Sequence, residues 1–151
     1  MMDNDEVIST LNDLIETCKD GEAGFRDCAE HVSDPKLKLL FQDRARDCAL
    51  AAEELQDKVR ACGGNPETRT SLSGTLHRRW VDIKATILGH SDEAILNECE
   101  RGEDVAVRSY AKATDKQLPP EIRALVERQY QGVVQNHDQI RALRNQVRAN
   151  S

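Results

Sequence analysis

Apolar residues recur along this chain in steps of three and four, the period of a helix with one buried face. The first such stretch covers about 4–32, with Val7, Leu11, Leu14, Cys18, Phe25, Ala29 and Val32 on one face. Asn4 stands where a cap belongs, and Asp5 and Glu6 favour the positive end of the helix. Asp34-Pro35 turns a corner into a second helix over about 35–61, striped by Leu37, Phe41, Ala45, Cys48, Ala52, Leu55 and Val59 and stopped by Gly63-Gly64. A helix over about 71–88 presents Leu72, Leu76, Trp80, Ile83 and Ile87. Ser91 caps the next, which carries Ile95, Cys99, Glu103, Ala106 and Tyr110 and closes at Leu118-Pro119-Pro120. The last, over about 121–148, turns Ile122, Leu125, Gln129, Val133, His137, Ile140, Leu143 and Val147 inward. Extended alternation is missing, so an all-α bundle is expected, formed as a single domain over 1–151.

One gap in the first stripe is filled by a carboxylate. Glu22 sits between Cys18 and Phe25, and Glu103 occupies the same place in the helix after Ser91. Both belong to a repeated tag, Cys-x-x-Gly-Glu: Cys18-Lys19-Asp20-Gly21-Glu22 and Cys99-Glu100-Arg101-Gly102-Glu103. Gly21 and Gly24 each cost a helix interior roughly 1 kcal/mol relative to Ala. The helix therefore bends there, breaks at Asp20-Gly21, or admits another backbone at close range. The ends of the second and last helices also match, Asp57-Lys58-Val59-Arg60-Ala61 with Asn145-Gln146-Val147-Arg148-Ala149. That register superposes Leu55 on Leu143, Ala52 on Ile140 and Ala45 on Val133. The chain reads as one helical hairpin duplicated. A long connection between the halves would make the second helix parallel to the one after Ser91, with 71–88 as a crossover; the alternative is a fifth helix in an up-down bundle.

Composition narrows the function classes. Charged residues make up 32% and aromatics 3% of the 151 residues, which suits solvent-rimmed helices. A formal charge of −6 argues against a general nucleic-acid binder, which needs a basic surface. No apolar run is long enough for a membrane span. The five cysteines form neither Cys-x-x-Cys nor zinc spacing. Their odd number, without a signal-peptide pattern, points to a reducing compartment and a cytoplasmic location.

The segments Leu11-Asn12-Asp13-Leu14, Gly21-Glu22, His77-Arg78-x-Trp80, Cys99-Glu100-Arg101-Gly102-Glu103-Asp104, His137-Asp138 and Leu143-Arg144 together resemble the ferritin-like superfamily. More closely, they resemble a bacterial family of four-helix-bundle proteins classed as a domain of unknown function. The resemblance implies a ferritin-like bundle with an additional crossover helix and a relationship to stress-linked bacterial proteins. It implies no established reaction.

Ferritin-like di-iron sites take a Glu from each of two helices and a Glu-x-x-His pair from each of the other two. Glu22 and Glu103 match the single-Glu positions and His137 matches one His, but Val134 stands where the paired Glu should be. Ala49 lies opposite His137 in the repeat, with Arg46 three residues earlier. A di-iron oxidase is not expected. Three readings remain for Glu22, Glu103 and His137. They form a buried polar or ionic cluster with Arg44 or Arg46; they bind a single divalent ion (Fe, Mn or Zn) with water or Asp47 completing the shell; or they lie at the surface. Glu100 with Glu103 and Glu53-Glu54 read best as solvated faces. His77-Arg78-Arg79-Trp80 reads as an amphipathic anchor ahead of an anion site, and His31 and His90 as helix-end residues. A Gly-x-Ser-x-Gly elbow is missing, and Gly63-Gly64 is a helix stop, not a phosphate loop. The expected function is non-enzymatic: self-association as a homodimer or binding of a protein partner. The glycines of the first helix and of the helix after Ser91 make those two the expected dimer face. A mononuclear metal protein is the alternative.

Overall fold

The computed structural model describes residues 2–66 and 91–150. Among them are four helices and no strand: α1 (Asn4–His31), α2 (Pro35–Ala61), α3 (Asp92–Thr114) and α4 (Pro120–Ala149). The expected helix over 71–88, and with it His77-Arg78-Arg79-Trp80 and His90, lies outside the described residues. None of the described helices is long and apolar enough to cross a membrane.

The helix ends follow the capping chemistry, with one change of residue. Asp3, not Asn4, caps α1: its side chain accepts from the Glu6 N–H at 2.9 Å. Asn4 is the first helical residue and donates from Nδ2 to the Cys62 carbonyl at 2.9 Å, tying the end of α2 to the start of α1. Asp34 caps α2, with Pro35 in its first turn, and Ser91 caps α3. After α2 the chain turns at Gly63, whose φ of 83° strains any residue with a Cβ. Arg123 of α4 donates to the Thr114 and Lys116 carbonyls, closing the last turn of α3.

The topology follows from which residues meet. Asn4 reaches Cys62 and Phe25 stacks on Phe41, so α1 and α2 are antiparallel. Cys28 meets Cys99 and Cys18 meets Tyr110, so α1 and α3 are antiparallel as well. Hence α2 runs parallel to α3, and α4 returns antiparallel to α3. Cys62 lies beside the start of α1, whereas Asp92 accepts from the Ser33 and Asp34 N–H groups at the other end of the bundle. The halves are thus joined end to opposite end, as one long connection requires. The repeat is visible in the α1–α3 crossing. Its register equates Cys18 with Cys99 and Cys28 with Ser109, so the Cys28–Cys99 and Cys18–Tyr110 contacts are two-fold equivalents to within one residue.

α1 is continuous through Gly21, so neither a bend nor a break explains its glycines. A Cβ added at Gly21 would sit 3.1 Å from Cys48 Sγ: the glycine lets α2 approach. Gly24 and Gly102 are buried too, so the small-residue faces of α1 and α3 are consumed inside the bundle and cannot serve as a dimer face.

The apolar core divides into two clusters. One gathers Phe25, Cys28, Leu37, Phe41, Ile95, Leu96, Cys99 and Ile140 near the α1–α2 turn. The other gathers Leu11, Leu14, Ile15, Leu55, Val59, Tyr110 and Val126 near the α3–α4 turn. Between them, the buried residues are Asp20, Gly21, Gly24, Glu100, Gly102, Glu103, Gln129 and His137. Each is polar or a glycine, so the bundle has a polar waist.

Gly21→Leu should lower the unfolding free energy by about 1–3 kcal/mol through overpacking against Cys48, measured from urea unfolding curves. An unchanged midpoint would show that α2 does not approach α1 as closely as described.

Candidate functional site: the polar waist

The two tagged carboxylates meet different fates. Glu22 is at the rim of α1, its side chain 13% exposed, with Arg26 Nη2 at 2.5 Å and Lys19 Nζ at 3.9 Å. These partners are one helical turn away on either side. In the repeat register their counterparts are Glu100 and Val107, so Glu103 has no cation to turn to on α3. Glu103 is buried, and loss of hydration pushes its pKa from 4.5 to about 8. The Arg44 guanidinium opposes that rise and Asp104 adds to it. Arg44 is a weak counter-ion because its Nη2 reaches Asp47 at 3.1 Å, leaving Nε buried without a hydrogen bond. Arg46 faces solvent and pairs with Asp43.

His137 does point inward, but toward Asp104 and Glu100. Its Nε2 lies 2.5 Å from Asp104 Oδ1 and 3.8 Å from Glu100 Oε1; Nδ1 lies 3.2 Å from Asp138 Oδ1. Glu100 is buried, not on a solvated face. Arg141 Nε donates to its Oε1 at 2.8 Å, and Arg144 Nη1 donates to its Oε2. Both oxygens of Glu100 are therefore taken by cations from α4. Such a pair is costly to break, because removing one side leaves a buried ion.

A second network crosses all four helices. Tyr110 Oη of α3 donates to Gln129 Oε1 of α4 at 2.8 Å and lies 3.2 Å from Cys18 Sγ of α1. Gln129 Nε2 donates to the Ala51 carbonyl at 3.2 Å and to Glu54 Oε1 at 3.3 Å on α2. Arg128 completes it with Glu54 Oε2 at 2.6 Å. Burial holds the Cys18 thiol protonated, its pKa pushed up to about 12, and raises Cys48, Cys99 and Tyr110 as well.

Each residue of the predicted metal set has partners of its own. Glu22 is held by Lys19 and Arg26, Asp47 by Arg44, and His137 by Asp104 and Asp138, while Glu103 sits among thiols and Arg44. Among the described residues, no group of three or more His, Cys, Asp or Glu side chains is arranged to hold a metal ion. Sequence reading placed Gln129 inward, on the apolar stripe of α4, and missed Glu100 and Asp20 as members of the waist.

The raised pKa of Glu103 has a definite sign. The folded state keeps a proton that the unfolded chain releases near pH 4.5, so the Glu103 contribution to stability is greatest below that pH and falls as pH rises to about 8. Glu103→Gln should flatten this decline and raise stability above pH 8 by on the order of a few kcal/mol, read as the difference between wild-type and variant urea curves at pH 5, 6.5 and 8.5. Equal slopes for the two proteins would mean that Glu103 is hydrated. Tyr110→Phe should cost about 1–3 kcal/mol, since it strips a partner from buried Gln129, and thermal unfolding at pH 7 measures it.

No curated protein matches the chain. The sequence profile of the family described as Domain of unknown function (DUF2383) matches residues 6–116, from the first turn of α1 past the end of α3, and the chain belongs to that family.

Proposed function

We propose that this protein is a non-enzymatic helical bundle that acts by self-association, its waist serving to hold the four helices in one register. The observation that carries the reading is the saturation of Glu100. Each oxygen of this buried carboxylate accepts from an arginine of α4, Arg141 or Arg144, so the group is held in an internal ion pair and not presented to a substrate or an ion. Glu103, kept protonated by burial at neutral pH, and the high thiol pKa values of Cys18, Cys48 and Cys99 point the same way, since metal ligands and nucleophiles act in their ionised forms. The order of helix directions, with one long connection between two hairpins, also supports the ferritin-like relationship. A place in the bacterial stress response rests on the resemblance alone. A deletion strain indistinguishable from its parent under oxidative, acid and starvation stress would remove it.

The single-ion alternative, Fe, Mn or Zn on Glu22, Glu103, His137 and Asp47, is tested by melting the protein purified without chelator. A ligand at 100 times its Kd adds about 2.7 kcal/mol to the folded state. Absence of bound metal, and no shift in Tm with added Mn, Fe(II) or Zn, is the expected outcome; a shift abolished by Glu103→Gln would replace this reading with a metal protein. The structural role of Glu100 has its own signature. Glu100→Ala should cost about 1–3 kcal/mol, chiefly by leaving the mostly buried Arg144 without its counter-ion while half-exposed Arg141 turns to solvent, and Glu100→Met with Arg144→Met should restore most of that loss, both from urea unfolding.

A further inference from the structure

The outer face of α2 is built differently from the rest of the surface. Leu39 and Leu50 are 63% and 52% exposed, and they are the large apolar side chains left in solvent among the described residues. Both lie opposite the core stripe of Leu37, Phe41, Ala45, Ala52 and Leu55. They belong to a row, Lys36, Leu39, Asp43, Arg46, Leu50 and Glu53, in which every member is exposed. The steps are three, four, three, four and three, the seam spacing of a two-helix coiled coil.

The row is also complementary to its own reverse. Laid against a second copy running the other way, Lys36 meets Glu53 of the partner subunit. Leu39 meets Leu50 of the partner subunit, and Asp43 meets Arg46 of the partner subunit. Every position finds an opposite charge or a leucine, which is what a two-fold, isologous interface demands. Asp43 and Arg46 already pair within one helix at 3.6 Å, so docking would close two such pairs into a ring of four alternating charges. The α1–α2 groove beside this row adds Lys38 and Gln42 at its edge.

From this self-complementarity we propose that α2 carries the homodimer surface, two copies packing their Lys36–Glu53 faces antiparallel about a two-fold axis beside Asp43 and Arg46. The proposal rests on the self-association reading above and gives it a place. Two leucines per copy and a single helix pair bury less than about 1,200 Å², the size class of transient pairs. A reversible dimer that dissociates on dilution is therefore expected.

Sedimentation velocity of the full chain between about 2 and 200 µM, a range that brackets micromolar affinities, tests it. Wild type should pass from monomer to dimer. Leu39→Lys with Leu50→Lys should weaken dimerisation at least about tenfold and leave the circular dichroism melt unchanged, because both leucines are exposed. Asp43→Arg alone and Arg46→Asp alone should each weaken it, and the two together should restore it, since the charge pattern is then merely reversed. A dimer indifferent to all four substitutions overturns the α2 surface and leaves self-association standing. A chain that stays monomeric at 200 µM overturns both.

Discussion

Everything in the middle of this bundle depends on one requirement: an ionisable group taken out of water must be paired or lose its charge. The waist satisfies it in two ways on one turn of α3. Glu100 keeps its charge and takes both guanidinium groups of Arg141 and Arg144. Glu103, one turn along, shares Arg44 with Asp47 and holds a proton instead. Its equivalent in the first half, Glu22, escapes the problem by turning to the rim, where Lys19 and Arg26 wait on its own helix. The same five-residue tag thus yields an ion pair at the rim in one half and a buried neutral acid in the other. The difference lies in which residues flank the tag.

The duplication explains why these positions face each other at all. Two antiparallel hairpins joined end to opposite end bring their first helices together near the middle. The contacts there, Cys28 with Cys99 and Cys18 with Tyr110, obey the repeat to within a residue. Glycine then sets the spacing. Gly21 lets Cys48 of α2 come into contact with α1, and the buried Gly24 and Gly102 line the same waist. Small residues that read in isolation as an exposed docking stripe are the means by which the bundle closes on itself.

The elements were legible because they are local. Stripes at steps of three and four gave the four described helices and most core residues, and Pro35, Gly63 and Ser91 marked their limits, although α1 is capped by Asp3 instead of Asn4. The site was legible only in part. Glu103 and His137 were placed inward by their stripes, and both are buried. Arg44 was legible beside Glu103, but Glu100 and Asp104 beside His137 were not, because contacts between helices join residues far apart in sequence and leave no periodic trace. Glu100 and Asp20 lie off the narrow stripes; Glu100 read as part of a solvated face and Asp20 only as part of a candidate break at Asp20-Gly21. They are buried because a helix packed against two neighbours covers a wider arc than a single seam.

The asymmetry between greasy ends and a polar middle has a consequence for register. Apolar stripes repeat at every turn, so leucine and alanine layers would accept α4 slid along α3 by one turn with modest loss. The waist does not. A one-turn slide is about 5.4 Å, which carries Arg141 and Arg144 out of hydrogen-bond reach of Glu100 and takes Gln129 away from Tyr110 and Ala51. Each displaced group would then be buried without its partner, at several kcal/mol for the carboxylate alone. The apolar clusters make the bundle compact; the waist selects which of the compact arrangements is the native one.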